Sequence, residues 1–363
     1  MTFSVSIQEQ ALRQTDCVSR LRFLRSVQLR RRGRRDCAAR AGRIGLTALV
    51  LCFANQLGRS KASEPVVPIN VPVAIPMVAG APLAEAIWLV EETALRGLYS
   101  NGLIVRREHE TKATPRSYHA YQRQTLQRGN QSLSVPAGIV FHTTESRIVP
   151  LEQARTNTLL RSRQDVLDHA HNSQCYNFVV DRFGQVFRVV PEDQTALHAG
   201  HSIWASGETV WIDLNESFLG VSFEAETAKA FAPSAAQIHS GRLLTEMLRS
   251  RFGIPGENCV THAQVSVNPD NLRIGYHTDW GSSFPFLQLG LPDNYALPVA
   301  AVAIFGFLHD DTFLQAVENR PWSGLLAADR GIARQATEQG LTTHEFSIQL
   351  QQRYKNLRRQ RHG

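Results

Sequence analysis

Uncharged apolar runs mark the strands of this chain. Residues 137–141 and Phe218–Phe223 contain no charge, which is typical of strands buried on both faces of a sheet. Residues 176–180 and 185–190 are rich in β-branched and aromatic side chains and flank the turn sequence 181–184, so they predict a hairpin.

Helical spacing appears between and after these runs. Residues 234–252 place apolar or small residues three and four positions apart, followed by Gly253 as a stop signal, which predicts an amphipathic helix facing the sheet. Residues 150–169 and 83–99 also predict helices, the second ending at Asn101-Gly102. The fold class is therefore α/β, with a mixed central β-sheet packed by helices.

The two ends are expected to be appendages. Five prolines in residues 63–82 indicate a linker or a surface strap, and residues 105–133 indicate a loop-rich connection. The apolar stretch 291–307 and the polar stretch after it predict helices that end in a basic tail. We therefore divide the chain into a leader (1–62), a linker with an N-terminal accessory segment (63–133), a central α/β domain (134–290) and a C-terminal helical segment (291–363), with accessory helical segments at both ends.

Charge is concentrated in the leader. The net charge of +7 conceals 13 Lys and Arg against 3 Asp and Glu in residues 1–62, which leaves 26 basic and 29 acidic residues in the body. Because the body of the chain is slightly acidic, its charge does not support a nucleic-acid partner. The basic stretch 20–43 and the apolar run 44–54 predict an export signal, because about 16 Å of helix is too short to span a bilayer. The alternatives are a basic tail or a start codon assigned too far upstream. Lipidation at Cys52 is disfavoured because Leu51 before it is bulky.

Two of the five cysteines lie outside the leader, Cys175 and Cys259. A disulfide between them and two buried free thiols are equally compatible with an exported domain.

Three of the 13 histidines stand out by position. His142 ends a buried strand and His262 follows a short extended segment. His277 and Asp279 form an H-x-D pair that shares one face if the segment is extended. Two imidazoles and one carboxylate would make a hydrolytic zinc site with an open position for water, although this pattern alone is weakly specific.

Over about residues 137–286, the sequence resembles the zinc-dependent N-acetylmuramoyl-L-alanine amidases, which share a fold with the peptidoglycan recognition proteins. The similar motifs, in chain order, are the strand into His142, Tyr176-Asn177-Phe178, Leu197-His198-Ala199-Gly200, Leu219-Gly220-Val221, Thr261-His262 and Thr278-Asp279-Trp280-Gly281.

The resemblance implies one Zn²⁺ ion held by His142, His262 and Asp279. It implies catalytic roles for Tyr176, which would orient water or donate to the oxyanion, and for His277, which stands where many relatives have lysine. His277 would stabilise the oxyanion or protonate the leaving amine. Some relatives carry glutamate at the position of Ser222.

Two further residues, His198 and Glu224, are candidates for substrate binding. His198 is expected to line the groove or to form a hydrogen bond, and not to bind the metal. Glu224 is expected near substrate, with a hydrogen bond to a ligand imidazole or a surface salt bridge as the other interpretations. A half-buried structural tyrosine is the alternative for Tyr176.

The function that follows from the resemblance is hydrolysis of the amide bond between N-acetylmuramic acid and L-alanine of the peptidoglycan stem peptide, by zinc-activated water. The expected partner is peptidoglycan or muropeptides, and the expected location is periplasmic or extracellular, without a stable transmembrane span. The rival interpretations are a muropeptide-binding module of the same fold that does not cleave, and an envelope-anchoring scaffold.

Overall fold

A computed structural model describes residues 86–146, 156–227, 232–309 and 311–362. The predicted export signal and the proline-rich linker lie outside these ranges.

The strands are β1 Leu89–Glu92, β2 Arg96–Tyr99, β3 Ile104–Arg106, β4 Tyr121–Gln122, β5 Gly138–Thr143, β6 Phe178–Val180, β7 Val186–Arg188, β8 Ile203–Ser206, β9 Thr209–Ile212, β10 Phe218–Phe223, β11 Cys259–Thr261, β12 Val267–Asn268 and β13 Arg273–Ile274. The α-helices are α1 Thr156–Ser173, α2 Ala235–Phe252, α3 His262–Val265, α4 Ala300–Phe305, α5 Asp311–Ala316, α6 Ser323–Glu338 and α7 Thr343–His362. Single 3₁₀ turns occur at Gly256–Asn258, Leu287–Leu289 and Asn294–Ala296.

A mixed sheet of eight strands forms the centre, in the order β1-β2-β3-β7-β6-β10-β5-β11. Strands β6, β10, β5 and β11 run parallel, and β7 returns antiparallel to β6 as the predicted hairpin. Every residue of β5 and β10 is buried, as their uncharged sequences predict. The predicted mixed sheet packed by helices is confirmed.

Helix α2 begins and ends where the sequence predicts. Ser234 caps its N-terminus through a capping box with Gln237, and Gly253 ends it in the left-handed conformation, with φ of 65°. Leu244 and Leu248 are fully buried in a cluster with Phe223 of β10, so the apolar face of the helix covers one face of the sheet.

The helix predicted for residues 83–99 is wrong. Residues 89–99 instead form the antiparallel hairpin β1-β2, which extends the sheet through β3 and β7. The Thr93 hydroxyl accepts the backbone N–H groups of Leu95 and Arg96, and this local turn competes with helical bonding. The described residues of the N-terminal accessory segment are thus strands and loops, and only the C-terminal accessory segment is helical.

The C-terminal helices pack on the hairpin β8-β9. Ile203 and Ile212 of that hairpin share a core with Phe305, Leu325 and Leu350. In the basic tail, Arg361 lies 3.1 Å from Asp213 and donates to the carbonyl oxygen of Ile212 at 2.9 Å, so this arginine anchors α7 to the body of the fold.

Cys175 and Cys259 do not pair with each other, because Cys259 is a free and fully buried thiol. Within the described ranges, no helix combines the length and the apolar composition needed to cross a bilayer.

Candidate metal centre

Three elements bring the proposed ligands together. His142 lies near the carboxyl end of β5, opposite Ser222 of β10. His262 is the first residue of α3, directly after β11, the strand that pairs with β5 on its other side. The backbone of Asp279 is tied to the same short helix, because its carbonyl oxygen accepts the N–H of Ala263 at 2.9 Å.

The three side chains converge. One ligand atom each from His142, His262 and Asp279 lies within 4.8 Å of the other two, and all three residues are 0% exposed. Nδ1 of His142 is 3.2 Å from Oδ2 of Asp279, and Nδ1 of His262 is 3.0 Å from Oδ1. Residues separated by up to 137 positions in sequence thus form one cluster.

Strand alternation is not what places His277 and Asp279 together. Strand β13 ends at Ile274, and both residues lie in the irregular segment after it, so the predicted reason for their pairing is wrong. Both still reach the cluster. The His277 imidazole stacks on that of His262, with ring centroids 4.5 Å apart and planes inclined by 17°.

Main-chain carbonyls determine which ring nitrogens carry protons. A carbonyl oxygen only accepts hydrogen bonds, so we assign a proton to Nε2 of His262, which lies 3.3 Å from the carbonyl oxygen of Ala199. Nε2 of His198 lies 3.2 Å from the carbonyl oxygen of Phe218 and receives a proton for the same reason. A neutral His198 then has Nδ1 free as an acceptor.

This acceptor determines which nitrogen of His142 is protonated. Nε2 of His142 lies 3.1 Å from Nδ1 of His198 and therefore carries the proton of this hydrogen bond. Nδ1 of His142 and Nδ1 of His262 are left with lone pairs directed at the carboxylate of Asp279. Three acceptor atoms converge with no proton assigned between them.

Electrostatics favours a cation among these three side chains. Burial, with a contribution from His262, lowers the pKa of His142 to about 4, so its imidazole is neutral at physiological pH. Burial raises the pKa of Asp279, but its contacts with His262 and His142 outweigh burial and bring that pKa well below its usual value. A neutral His142 imidazole and an ionised carboxylate, buried together with His262, favour a positive charge among them. Two nitrogens and one oxygen match the donor set of a hydrolytic zinc site.

Comparison with protein-family models gives a match to the central part of the chain. The model of the family described as N-acetylmuramoyl-L-alanine amidase matches residues 131–282. The match covers less than half of the chain, and residues 131–282 are similar to this amidase family. The resemblance inferred from the motifs is confirmed for this part of the chain, which we call the amidase-type domain.

Solved structures are similar at low identity. A selenomethionine derivative of AmpD is 19% identical, with a TM-score of 0.31, over 50% of this chain and 93% of AmpD. The amidase LysC from Clostridium intestinale is 18% identical, with a TM-score of 0.30, over 51% and 93%. AmiD from E. coli, in complex with anhydro-N-acetylmuramic acid-L-Ala-D-gamma-Glu-L-Lys, is 22% identical, with a TM-score of 0.33, over 47% and 62%. No curated protein matches the chain.

Tyr176 reaches the metal centre of the amidase-type domain through an unusual backbone conformation. Its φ is 59°, a left-handed value that is rare for an aromatic residue, and its side chain is only 2% exposed. The neighbouring N–H groups of Cys175 and Asn177 donate to the carbonyl oxygens of Ala170 and Gly220, which hold this conformation. The ring of Tyr176 lies 5.3 Å from that of His142, and the residue is buried and not half-buried.

The two residues expected at the substrate, His198 and Glu224, are both buried. His198 is 0% exposed and contacts His142 from behind, which fits the hydrogen-bonding alternative and not a groove residue. Glu224 is buried, and its carboxylate accepts the backbone N–H of Arg182 in the hairpin turn at 3.2 Å. Burial raises the pKa of Glu224. The surface salt-bridge alternative does not describe Glu224, and its hydrogen bond joins two strand ends instead of fixing a ligand imidazole.

One residue behind the centre was missed. Arg116 lies in the segment interpreted as a polar connection, yet its guanidinium is nearly fully buried and donates to the same Phe218 carbonyl oxygen that accepts His198. No sequence signal marks it, because its partners are main-chain carbonyls of distant residues.

Proposed function

We propose that this protein is a zinc-dependent N-acetylmuramoyl-L-alanine amidase, which cleaves the bond between N-acetylmuramic acid and L-alanine in peptidoglycan or muropeptides. The observation that carries the proposal is the convergence of three buried acceptor atoms, from His142, His262 and Asp279, within 4.8 Å of one another. The family of residues 131–282 supports the substrate class.

In this proposal one Zn²⁺ ion is held by Nδ1 of His142, Nδ1 of His262 and the carboxylate of Asp279. Three protein ligands leave one position for water or substrate. The bound ion would supply a Lewis acid for the scissile carbonyl and a lower pKa for the attacking water. The chain's own part is to keep both imidazoles neutral and correctly oriented, and to keep the carboxylate ionised.

Tyr176 supplies the oxyanion donor in this mechanism. Its ring packs beside His142, and a phenolic O–H at this position donates a hydrogen bond to the oxygen that becomes negative as water adds to the amide carbonyl. The left-handed backbone of Tyr176 costs on the order of 1 kcal/mol, a strain that is typical of residues held for function.

His277 acts on the leaving group. Its imidazole lies parallel to that of His262, and the Ser266 hydroxyl accepts its backbone N–H at 3.0 Å, so its position is fixed on the side of the second ligand. From there His277 gives a proton to the departing amine, whose expulsion as an anion would be prohibitive. The expected location of the reaction is the periplasm or the outside of the cell, where the substrate is found.

The test is mass analysis of purified muropeptides after incubation with the full-length protein. We expect free stem peptide from the wild type, none after chelator treatment, and recovery when zinc is restored. Asp279→Ala should release none, whereas Asp270→Ala, which changes an exposed carboxylate of the same segment, should retain activity. Muropeptide binding without release by the wild type would refute the amidase and favour a binding module of the same fold.

A further inference from the structure

A buried chain of hydrogen bonds runs away from the metal centre on the side of His142 that faces away from Asp279. It leads from Nε2 of His142 to His198, at 3.1 Å, and from His198 to the carbonyl oxygen of Phe218, at 3.2 Å. Both imidazoles are 0% exposed, so water does not compete for these bonds. The carbonyl oxygen at the far end can only accept a hydrogen bond, so it determines which atom donates in each hydrogen bond of this series.

The fold holds His198 in this orientation. The side-chain oxygen of Asn215 accepts the backbone N–H groups of His198 and Ala199, at 2.8 and 2.6 Å. Gly220 of β10 leaves room for the ring, because a Cβ at this position would lie 2.6 Å from Cγ of His198. The imidazole is thus fixed by a side chain on one side and by the sheet on the other.

Arg116 holds the carbonyl group at which this series of hydrogen bonds ends. Its guanidinium donates to the carbonyl oxygen of Phe218 at 3.1 Å, and also to those of Glu216, Glu192 and Gln194 at 2.6, 2.9 and 2.9 Å. These carbonyls belong to loops around His198 and to the start of β10. Arg116 itself precedes residues 131–282, so a residue outside the family match holds the scaffold behind the metal ligand.

We propose that His198 and Arg116 are positioning residues for His142, and that the segment containing Arg116 is part of the metal centre. His198 selects the form of His142 with the proton on Nε2, which leaves Nδ1 free for the metal. Arg116 orients the carbonyl that selects the form of His198. The inference rests on the metal site of the proposed function but not on hydrolysis.

The first test is zinc affinity of the full-length protein, measured by competition with a chromophoric chelator. His198→Leu removes both nitrogens and should weaken zinc binding about 10- to 100-fold, the usual effect of losing the hydrogen-bond partner of a ligand. His198→Gln keeps an acceptor and a donor and should recover most of that loss. Arg116→Met should weaken binding less than His198→Leu. His201→Leu is the matched control, because His201 lies three residues away and pairs with Asp213 instead.

The second test does not need zinc. In ¹⁵N-histidine-labelled, metal-free protein, long-range ¹H–¹⁵N spectra report which nitrogen of each neutral imidazole is protonated. The His142 signal, assigned by its loss in His142→Gln, should show a proton on Nε2 in the wild type and a mixture of both forms in His198→Leu. Folding of each variant is checked by near-ultraviolet circular dichroism.

Two results would overturn the inference: zinc affinity within twofold of wild type in folded His198→Leu, or an unchanged His142 spectrum. A wild type that binds zinc but releases no stem peptide would refute the amidase and leave this inference intact. A wild type that binds no zinc refutes the metal site, and the spectra then still decide whether His198 selects the form of His142.

Discussion

Replacement of Asp279 by asparagine tests the charge argument directly, because the metal-free and metal-bound proteins should respond in opposite directions. In the metal-free wild type, the carboxylate oxygens lie 3.0 and 3.2 Å from Nδ1 of His262 and of His142, nitrogens to which the tautomer assignment gives no proton. An asparagine amide has the same shape and can donate to one of them. We therefore expect metal-free Asp279→Asn to be more stable than metal-free wild type at pH 8.

The size of both effects follows from simple estimates. Satisfying one buried acceptor contributes about 1 kcal/mol, or about 2–4 °C in Tm for a domain of this size. Zinc at about 100 times its Kd adds about 2.7 kcal/mol to the wild type, or about 5–11 °C. If the variant binds zinc about 100-fold more weakly, the same zinc concentration adds only about 0.4 kcal/mol to it.

The assay is scanning calorimetry of chelator-treated and zinc-loaded proteins at pH 8, with Asp270→Asn as the control for an exposed carboxylate. A lower Tm for metal-free Asp279→Asn than for metal-free wild type would refute the reasoning. It would mean that a protonated imidazole pairs with the carboxylate and that the cluster is complete without a metal. A full zinc increment in Asp279→Asn would equally refute the ligand role of Asp279.

Three further outcomes follow from the same geometry. The pKa of His142 falls from 6.5 to about 4 on folding, so the unfolded chain binds a proton at higher pH than the folded protein does. The metal-free protein should therefore lose about 3 kcal/mol of unfolding free energy as the pH falls from 6.5 to 4, measured by urea denaturation. This loss should be absent in His142→Gln. Tyr176→Phe should lower kcat about 10²- to 10³-fold while zinc affinity stays unchanged in chelator competition. Gly220→Ala, whose Cβ would meet the His198 ring at 2.6 Å, should cost about 1–3 kcal/mol in urea denaturation and weaken zinc binding; an unchanged zinc Kd would contradict the tight fit.

The central elements could be predicted from sequence because local and global signals agree there. Strand β10 is found at Phe218–Phe223 as its uncharged run predicts, and α2 has both its capping serine and its terminal glycine in sequence. The hairpin β1-β2 could not be predicted in this way. Residues 89–92 are exposed throughout and have no alternation to detect, and the hairpin joins the central sheet through β3 and β7, of which β7 is distant in sequence.

The candidate ligands could be predicted because side chains carry their chemistry in the sequence. His142, His262 and Asp279 were assigned by motif, and their distances agree with that assignment. The roles of His198 and Arg116 could not be predicted, because both act on the main-chain carbonyl of Phe218. Every residue but proline has the same carbonyl and N–H, so a sequence gives no indication of which carbonyl will be an acceptor at a site.

Strand β10 connects these observations, because alternate residues along it lie beside the same candidate metal centre. The carbonyl of Phe218 ends the hydrogen-bond chain, Gly220 leaves space for His198, and Ser222 lies opposite His142 in the parallel register. The alternation of a strand spaces these positions about 7 Å apart, close to the span of an imidazole and its two hydrogen bonds. A one-residue slip of β10 would put Leu219 and Val221 on this face and leave His198 without its acceptor. In the proposed site, the register of a buried strand therefore sets the protonation of the candidate ligand His142, and the apolar packing of Leu219, Val221 and Phe223 on the other face holds that register.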